Sequence, residues 1–152
     1  HVREVPMHIR LMTAADYPQV YALWRSTPGM GLNNLDDSEE GITRYLQRNP
    51  TTCFVAEEAG ALIGTILSGH DGRRAFIYHL AVAAPYRRQG VGKALLEAAL
   101  EALRAEGIHK AALVVMANNT AGNAFWEQLG FTTRPDLVYR NRELDELLRY
   151  DT

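Results

Sequence analysis

The sequence predicts one mixed α/β domain, and three observations carry that reading. Strand-like and helix-like segments alternate along the chain. A long amphipathic helix stands between two strongly apolar runs, the pattern of a strand-helix-strand unit. The chain has 152 residues, 47% of them apolar, enough for one core and too few for two.

The elements follow in order. Residues 7 to 12 read as a strand, and Thr13-Ala14-Ala15-Asp16 starts a helix that runs to about Arg25, with Pro18 in its first turn. Pro28-Gly29-Met30-Gly31 and Asn33-Asn34 break regular structure over residues 27 to 36. A short helix follows Ser38 and stops at Asn49-Pro50. Residues 52 to 56 and 61 to 68 read as hairpin partners around Glu58-Ala59-Gly60, and Gly69-His70-Asp71-Gly72 makes a second turn. Residues 74 to 83 are nearly all apolar, which predicts a central strand buried on both faces. From Val91 to Glu106 a polar stripe of Lys93, Glu97, Glu101 and Arg104 marks a surface helix that Gly107 ends. Ala111 to Met116 reads as a further buried strand, Ala121 to Leu129 as a helix, and residues 131 to 142 as one or two closing strands. The tail Leu144-Asp145-Glu146-Leu147-Leu148 suits either a docking helix or a frayed end. Met7 directly precedes the first strand, so residues 1 to 6 read as an upstream extension or an expression remnant, and residues 7 to 152 as the domain.

Composition excludes several classes of function. Sixteen basic against 18 acidic residues leave a formal net charge of -2, so no global basic surface draws the chain to nucleic acid or an anionic membrane. One cysteine, Cys53, rules out an intrachain disulfide and any multi-cysteine metal framework, which suits a reducing compartment and makes the cytoplasm the default location. No metal site is expected. No apolar run reaches the length of a membrane span.

The informative segment is Tyr86-Arg87-Arg88-Gln89-Gly90-Val91-Gly92-Lys93, between the central strand and the long helix. Its glycines permit close backbone approach, and the helix start offers free N–H groups and a positive dipole end to an anion, with Arg87, Arg88 and Lys93 adding local charge. A plain strand-to-helix turn with solvated arginines is the alternative. Two nucleotide loops fail on residue identity. A Walker A loop needs glycine at 87 and a hydroxyl at 94, where arginine and alanine stand. A dinucleotide fingerprint starting at Gly90 needs a small residue at 95, where Leu95 stands.

The spacing Arg87, Gly90, Gly92 resembles the acetyl-coenzyme A signature of the Gcn5-related N-acetyltransferases (GNAT). Leu80-Ala81-Val82 upstream is similar to the family's central strand, and Asn119, Trp126 and Gly130-Phe131 downstream keep the family's spacing along the next helix. The resemblance covers residues 7 to 142. It implies a GNAT-like fold with a mixed, mostly antiparallel six- to seven-stranded sheet, about four helices and splayed central strands. It implies acetyl-coenzyme A as co-substrate, an amine acceptor as the other partner, and a homodimer in some members. The residues it assigns to the cofactor are Leu80, Ala81, Val82, Arg87, Arg88, Gln89, Gly90, Val91, Gly92, Lys93, Asn119 and Trp126, with a backbone N–H near Val82 polarising the thioester.

Direct transfer needs a neutral amine. A lysine-like amine at neutral pH costs roughly 4 kcal/mol to deprotonate, against roughly 2 kcal/mol for releasing a thiol as thiolate, so proton removal is the harder task. Where many relatives carry a tyrosine acid this chain has Trp126, whose indole N–H is no practical proton donor. Tyr78, Tyr86 and Tyr139 are replacement candidates. The strands lack the glutamate that relatives use as base, which leaves His79, equally readable as a hydrogen-bonded core residue. His70-Asp71 could also face a substrate, or simply form a solvated turn. Cys53 reads as a buried small hydrophobe. Asp36, Asp37, Glu39 and Glu40 either steer a cationic amine or stabilise a helix N-terminus. The function read from the chain is transfer of an acetyl group to a primary amine of a small molecule or protein, the alternatives being a non-catalytic coenzyme A sensor and an interaction domain that keeps the fold without the cofactor.

Overall fold

The computed structural model describes residues 7–150, so the reading of residues 1 to 6 lies outside the described residues. One sheet of five strands runs in sequence order: β1 (His8–Leu11), β2 (Phe54–Glu58), β3 (Ala61–His70), β4 (Ala75–Val82) and β5 (Ala111–Ala112). The first four pair antiparallel and β5 joins β4 in parallel. The helices are α1 (Tyr17–Arg25), α2 (Glu39–Arg48), α3 (Val91–Ala105) and α4 (Thr120–Gln128).

The period of two along each strand sorts the core into two layers. Val55 and Leu67 pack with Val20, Trp24, Ile42 and Leu46 of α1 and α2. Their neighbours Ala56 and Ile66 point the other way, against Val91, Leu95, Leu96 and Ala99 of α3. Gly64 lets α3 lie close, since a Cβ there would come within 3.0 Å of Leu95 Cδ1 and 3.1 Å of Val91 Cγ1. The chain enters this frame through a polar joint. The Arg10 guanidinium donates to Asp16 at 2.7 and 2.8 Å and to Glu57 at 2.8 Å, while Asp16 also accepts from the Thr13 N–H at 2.8 Å. Asp16 is buried, and the bonds from Arg10 hold its carboxyl below the ordinary value of 3.8.

Four expectations need correction. β4 is not buried on both faces: Tyr78 is 45% exposed and Phe76, His79, Leu80 and Val82 are half-buried, and all of these but Val82 line an open cleft. The strand expected over 111 to 116 pairs only through Ala111 and Ala112. Beyond them it diverges from β4, and Val114 and Met116 are exposed. Residues 131 to 142 form no strand. Pro135 supplies no donor, Leu137 N–H closes a turn onto Arg134 C=O, and Leu137, Val138 and Tyr139 remain exposed, so the sheet has five strands and not six or seven. The tail forms no helix; it is tied to the 27–36 loop by hydrogen bonds between Asn34 and Leu148 and by an isolated bridge between Asn33 and Arg149.

Asp16→Asn is expected to cost about 1–3 kcal/mol, the range for hydrogen bonds to a charged group, read as a lower urea midpoint at unchanged slope. A depressed carboxyl pKa contributes stability that is complete above the ordinary value of 3.8 and is lost as the pH falls through the folded value below it. Wild type should therefore lose more stability than the variant on acidification through that window.

Candidate functional site

The site begins where β4 runs into α3. Arg88 and Gly90 both take left-handed backbone conformations, φ +62° and +83°, and this turns the chain sharply before the helix. Gly90 is the N-cap of α3 and no side chain caps it. The first bond inside the helix runs from Ala94 N–H to Gly90 C=O at 3.0 Å, leaving the N–H groups of Val91, Gly92 and Lys93 without an intrahelical acceptor. They stand at the positive end of a 15-residue helix. Arg87 and Gln89 shape the loop: Arg87 Nε donates to Val82 C=O at 3.0 Å and Gln89 Nε2 to Pro85 C=O at 3.0 Å. Arg88 and Lys93 are exposed beside it. A Cβ at Gly90 would meet nothing within 4 Å, so the mouth of the helix is open. These donors and cations fit a diphosphate.

The second feature is the free edge of β4. Its register against β3 slips between Thr65 and Leu67, which face Ala81 and Tyr78, so that His79 and Leu80 together oppose Ile66. This bulge switches the direction of the backbone groups. Ala75 N–H points toward the β5 side, to Lys110 C=O, whereas Ala83 N–H points to Ile63 of β3. Counting back from Ala83 by alternation, the N–H groups of Val82 and Leu80 face the β5 side. β5 has already diverged there. The gap is a cavity of about 430 Å³ walled by Tyr78, His79 and Leu80 on one side, Leu113 to Met116 on the other, and Asn119 and Trp126 at the α4 end. Its free strand edge suits an amide-bearing arm added like an extra strand.

A second cavity of about 450 Å³ lies on the α2 side of β4, and Gly31, Tyr78 and His79 line both. The bulge places His79 at φ +35° with its ring over the edge of Trp24, centroids 4.9 Å apart. His79 Nε2 lies 2.7 Å from Asp37 Oδ1, with the two side chains 12% and 5% exposed. A carboxylate only accepts, so Nε2 carries the proton of this bond, and in the neutral imidazole the lone pair is then on Nδ1. Asp37 is fixed in turn by the Asn33 N–H at 2.8 Å, and Tyr17 Oη–H donates to its carbonyl at 2.7 Å.

Of the residues singled out in the sequence, Tyr78, His79, Leu80, Asn119 and Trp126 converge on the cleft. Ala81 turns its side chain into the core, as does Val91, so their contribution is backbone only. Burial, with Tyr139 and Asp36 nearby, raises the Tyr78 phenol above its ordinary value and keeps it protonated at neutral pH. Tyr139 is 67% exposed and lines neither cavity. Asn119 caps α4 by accepting from Gly122 N–H at 2.9 Å. Trp126 packs edge-on against Phe125 and Phe131. His70 Nε2 sits 3.2 Å from Glu106 and its Nδ1 accepts from Gly72 N–H, so it holds the 70–74 turn. Burial pushes the Cys53 thiol up to about 12, and no nucleophilic thiolate forms there. The pairing with Asp37 was not legible in the sequence: the carboxylate lies 42 residues from His79, inside a run that helix-end stability alone accounts for.

A family model described as the acetyltransferase (GNAT) family matches residues 17–131. An acetyltransferase of Sodalis glossinidius is 32% identical over 95% of this chain and 100% of its own. An acetyltransferase of Yersinia enterocolitica is 31% identical over 90% of this chain and 95% of its own. Among solved structures, Ard1 from Thermoplasma volcanium superposes with a TM-score of 0.75 at 26% identity, covering 84% of each chain. The PaiA N-acetyltransferase of Thermoplasma acidophilum, solved with coenzyme A, has the same fold, with a TM-score of 0.74 at 21% identity over 84% of this chain and 91% of its own.

Gly90→Glu is expected to weaken acetyl-coenzyme A binding by about tenfold to a hundredfold, measured by calorimetry, because a carboxylate would compete for the orphan donors and repel the diphosphate. Gly90→Ala separates the backbone strain, about 1 kcal/mol of stability, from the charge effect and should bind within a few-fold of wild type. Cys53 in the folded protein is expected to resist iodoacetamide at neutral pH; labelling at the rate of a free thiol would contradict its burial.

Proposed function

Because this chain belongs to the GNAT family and is an acyl-coenzyme A dependent acetyltransferase, we propose that it acetylates a primary amine by direct attack where the two cavities meet, with His79 taking the amine proton. The observation that carries the reading is the His79–Asp37 pair at that junction. Bound acetyl-coenzyme A supplies a thioester carbonyl carbon open to attack by an amine.

Every other requirement falls to the protein. The N–H groups of Val91, Gly92 and Lys93, with Arg87 and Arg88 nearby, hold the diphosphate. The free edge of β4 holds the amide-bearing arm, and the N–H of Leu80 or Val82 lies where negative charge on the thioester oxygen needs a donor. Asp37 fixes the imidazole so that Nδ1 is the basic atom, the arrangement of a base oriented by a third group. Tyr78, protonated and shared by both cavities, is the phenol best placed to donate toward the departing sulfur. Trp126 forms part of the arm's wall. Tyr139 remains a second phenol near Tyr78 without a place in either wall. Among the described residues no helix is long and apolar enough to cross a membrane, and no cluster of His, Cys, Asp and Glu is suited to a metal.

His79→Gln is expected to lower kcat by about 10²- to 10⁴-fold, the usual contribution of a positioned base, with acetyl-coenzyme A affinity unchanged. Asp37→Asn should lower kcat through the same imidazole, and the double variant should be little worse than His79→Gln alone. Trp126→Phe should keep kcat within about threefold, since no proton passes through the indole. Thiol release from acetyl-coenzyme A with an amine panel gives each number, and full activity in His79→Gln would remove the assigned base.

A further inference from the structure

The acceptor cavity is lined by both acidic and basic side chains. Asp36, Asp37 and His79 line it with Gly41 at the start of α2, where Gly41 lies against the Asp36 backbone, and Arg44 and Arg48 line it farther along the helix. These two arginines are four residues apart on α2, so they share one face of the helix, and Tyr45 stands between them on the same side. On a helix rising about 1.5 Å per residue, Arg48 stands about 10 Å past Gly41 at the acidic end, and Arg44 about 4 to 5 Å past it. Tyr45 and Tyr78, edge to face with centroids 6.0 Å apart, wall the space between.

The charges are not spent on each other. Asp37 is taken by His79 and the Asn33 backbone, and Asp36 by Asn33 Nδ2 at 3.0 Å. Among the described residues Arg44 reaches only Glu40, at 3.6 Å between side chains 74% and 89% exposed, a weak and screened contact. Among the described residues, no hydrogen bond or ion pair holds the Arg48 guanidinium. Two carboxylates and two guanidiniums around one cavity leave it near neutral overall but strongly polarised. A polycation would gain at the Asp37 end and be repelled at the other. A molecule with a cationic nitrogen at one end and an anionic group at the other matches both.

On this basis we infer that the acceptor is a small zwitterion, a primary amine bearing a carboxylate or phosphate-type anion, whose nitrogen is presented to His79 while Arg44 and Arg48 hold the anion. The inference rests on acetyl transfer at His79 and names the class of amine that receives it. A volume of about 450 Å³ accommodates a molecule of amino-acid size. The transfer balances without any further reagent: the ammonium gives one proton to solvent through His79 and becomes the attacking amine, the N–C bond to the acetyl group forms and the C–S bond breaks, and the nitrogen sheds a second proton while the sulfur takes one up from Tyr78, which is reprotonated, and departs as a thiol. The acylated nitrogen loses its charge, so the product keeps only the anion that the arginines hold.

The test compares thiol release with phenylalanine, phenylalaninamide, phenylethylamine, an aminoalkylphosphonate and spermidine. The acid or the phosphonate should exceed the amide, phenylethylamine and spermidine in kcat/KM by about tenfold to a hundredfold, the carboxylate and phosphonate arms telling the two anions apart. Arg48→Gln should reduce that preference to within about threefold. Turnover of the amide, phenylethylamine or spermidine as fast as the acid would overturn the zwitterion while leaving the transferase reading intact. If nothing is acetylated although acetyl-coenzyme A binds, the transferase reading fails and binding decides the inference. Selective binding of N-acetylphenylalanine over its amide by NMR titration, lost in Arg48→Gln, would uphold the two-ended site, and equal or absent binding of both would end it.

Discussion

The architecture turns on one unsatisfied edge. β4 pairs fully with β3, but its partner on the other side leaves after two residues. A strand edge deep in a domain normally finds hydrogen bonds or water. Here the backbone donors near Leu80 and Val82 open instead onto a cleft that continues toward the mouth of α3. The bulge at His79 and Leu80 is what makes the opening useful, since it changes which residues point their N–H groups toward the gap and turns the imidazole toward Asp37.

The rigid parts of the fold serve that edge. α3 is anchored by Val91, Leu95, Leu96 and Ala99 in the core, so the three orphan N–H groups of its first turn are held at a fixed place relative to β4. On the other face, Trp24 and Leu32, both fully buried, fix α1 and the loop that carries Asp37. The His79 imidazole, the Asp37 carboxylate bonded to it and the free N–H groups of α3 thus come from three separate parts of the chain, and each is positioned by apolar packing. Polar chemistry in such a site costs little reorganisation, because the core has already spent the conformational entropy of placing it.

The two cavities divide the labour. The cleft at β4–β5 has a free strand edge, and the start of α3 beside it has free N–H groups, features indifferent to the identity of the acceptor. The cavity under α2 is lined by charged side chains, and α2 itself is held by apolar contacts of Ile42 and Leu46 and by the Ser38 cap on Gly41 N–H at 3.0 Å. Exposed residues on its outer face can therefore vary in charge without disturbing the layer beneath, the arrangement expected where a common reaction is adapted to different amines.

By itself the sequence determined what local rules govern. Periodicity located the four helices and the β1 to β4 meander, and the Arg87, Gly90, Gly92 segment located the start of α3, because a helix start and a left-handed glycine are properties of a few adjacent residues. It misjudged segments whose state depends on a distant partner. Ala111 to Met116 is apolar enough for a strand but has no β4 partner past Ala112, and Leu137 to Tyr139 are apolar with no ladder to join. Only the tertiary structure decided that His79, equally readable as a core histidine, meets Asp37 across 42 residues and that Arg44 and Arg48 share a cavity with them. Contacts of that kind are made when the segment carrying Asp37 and the α2 side chains come against β4 residues such as His79 and Tyr78, and no spacing within either segment encodes them.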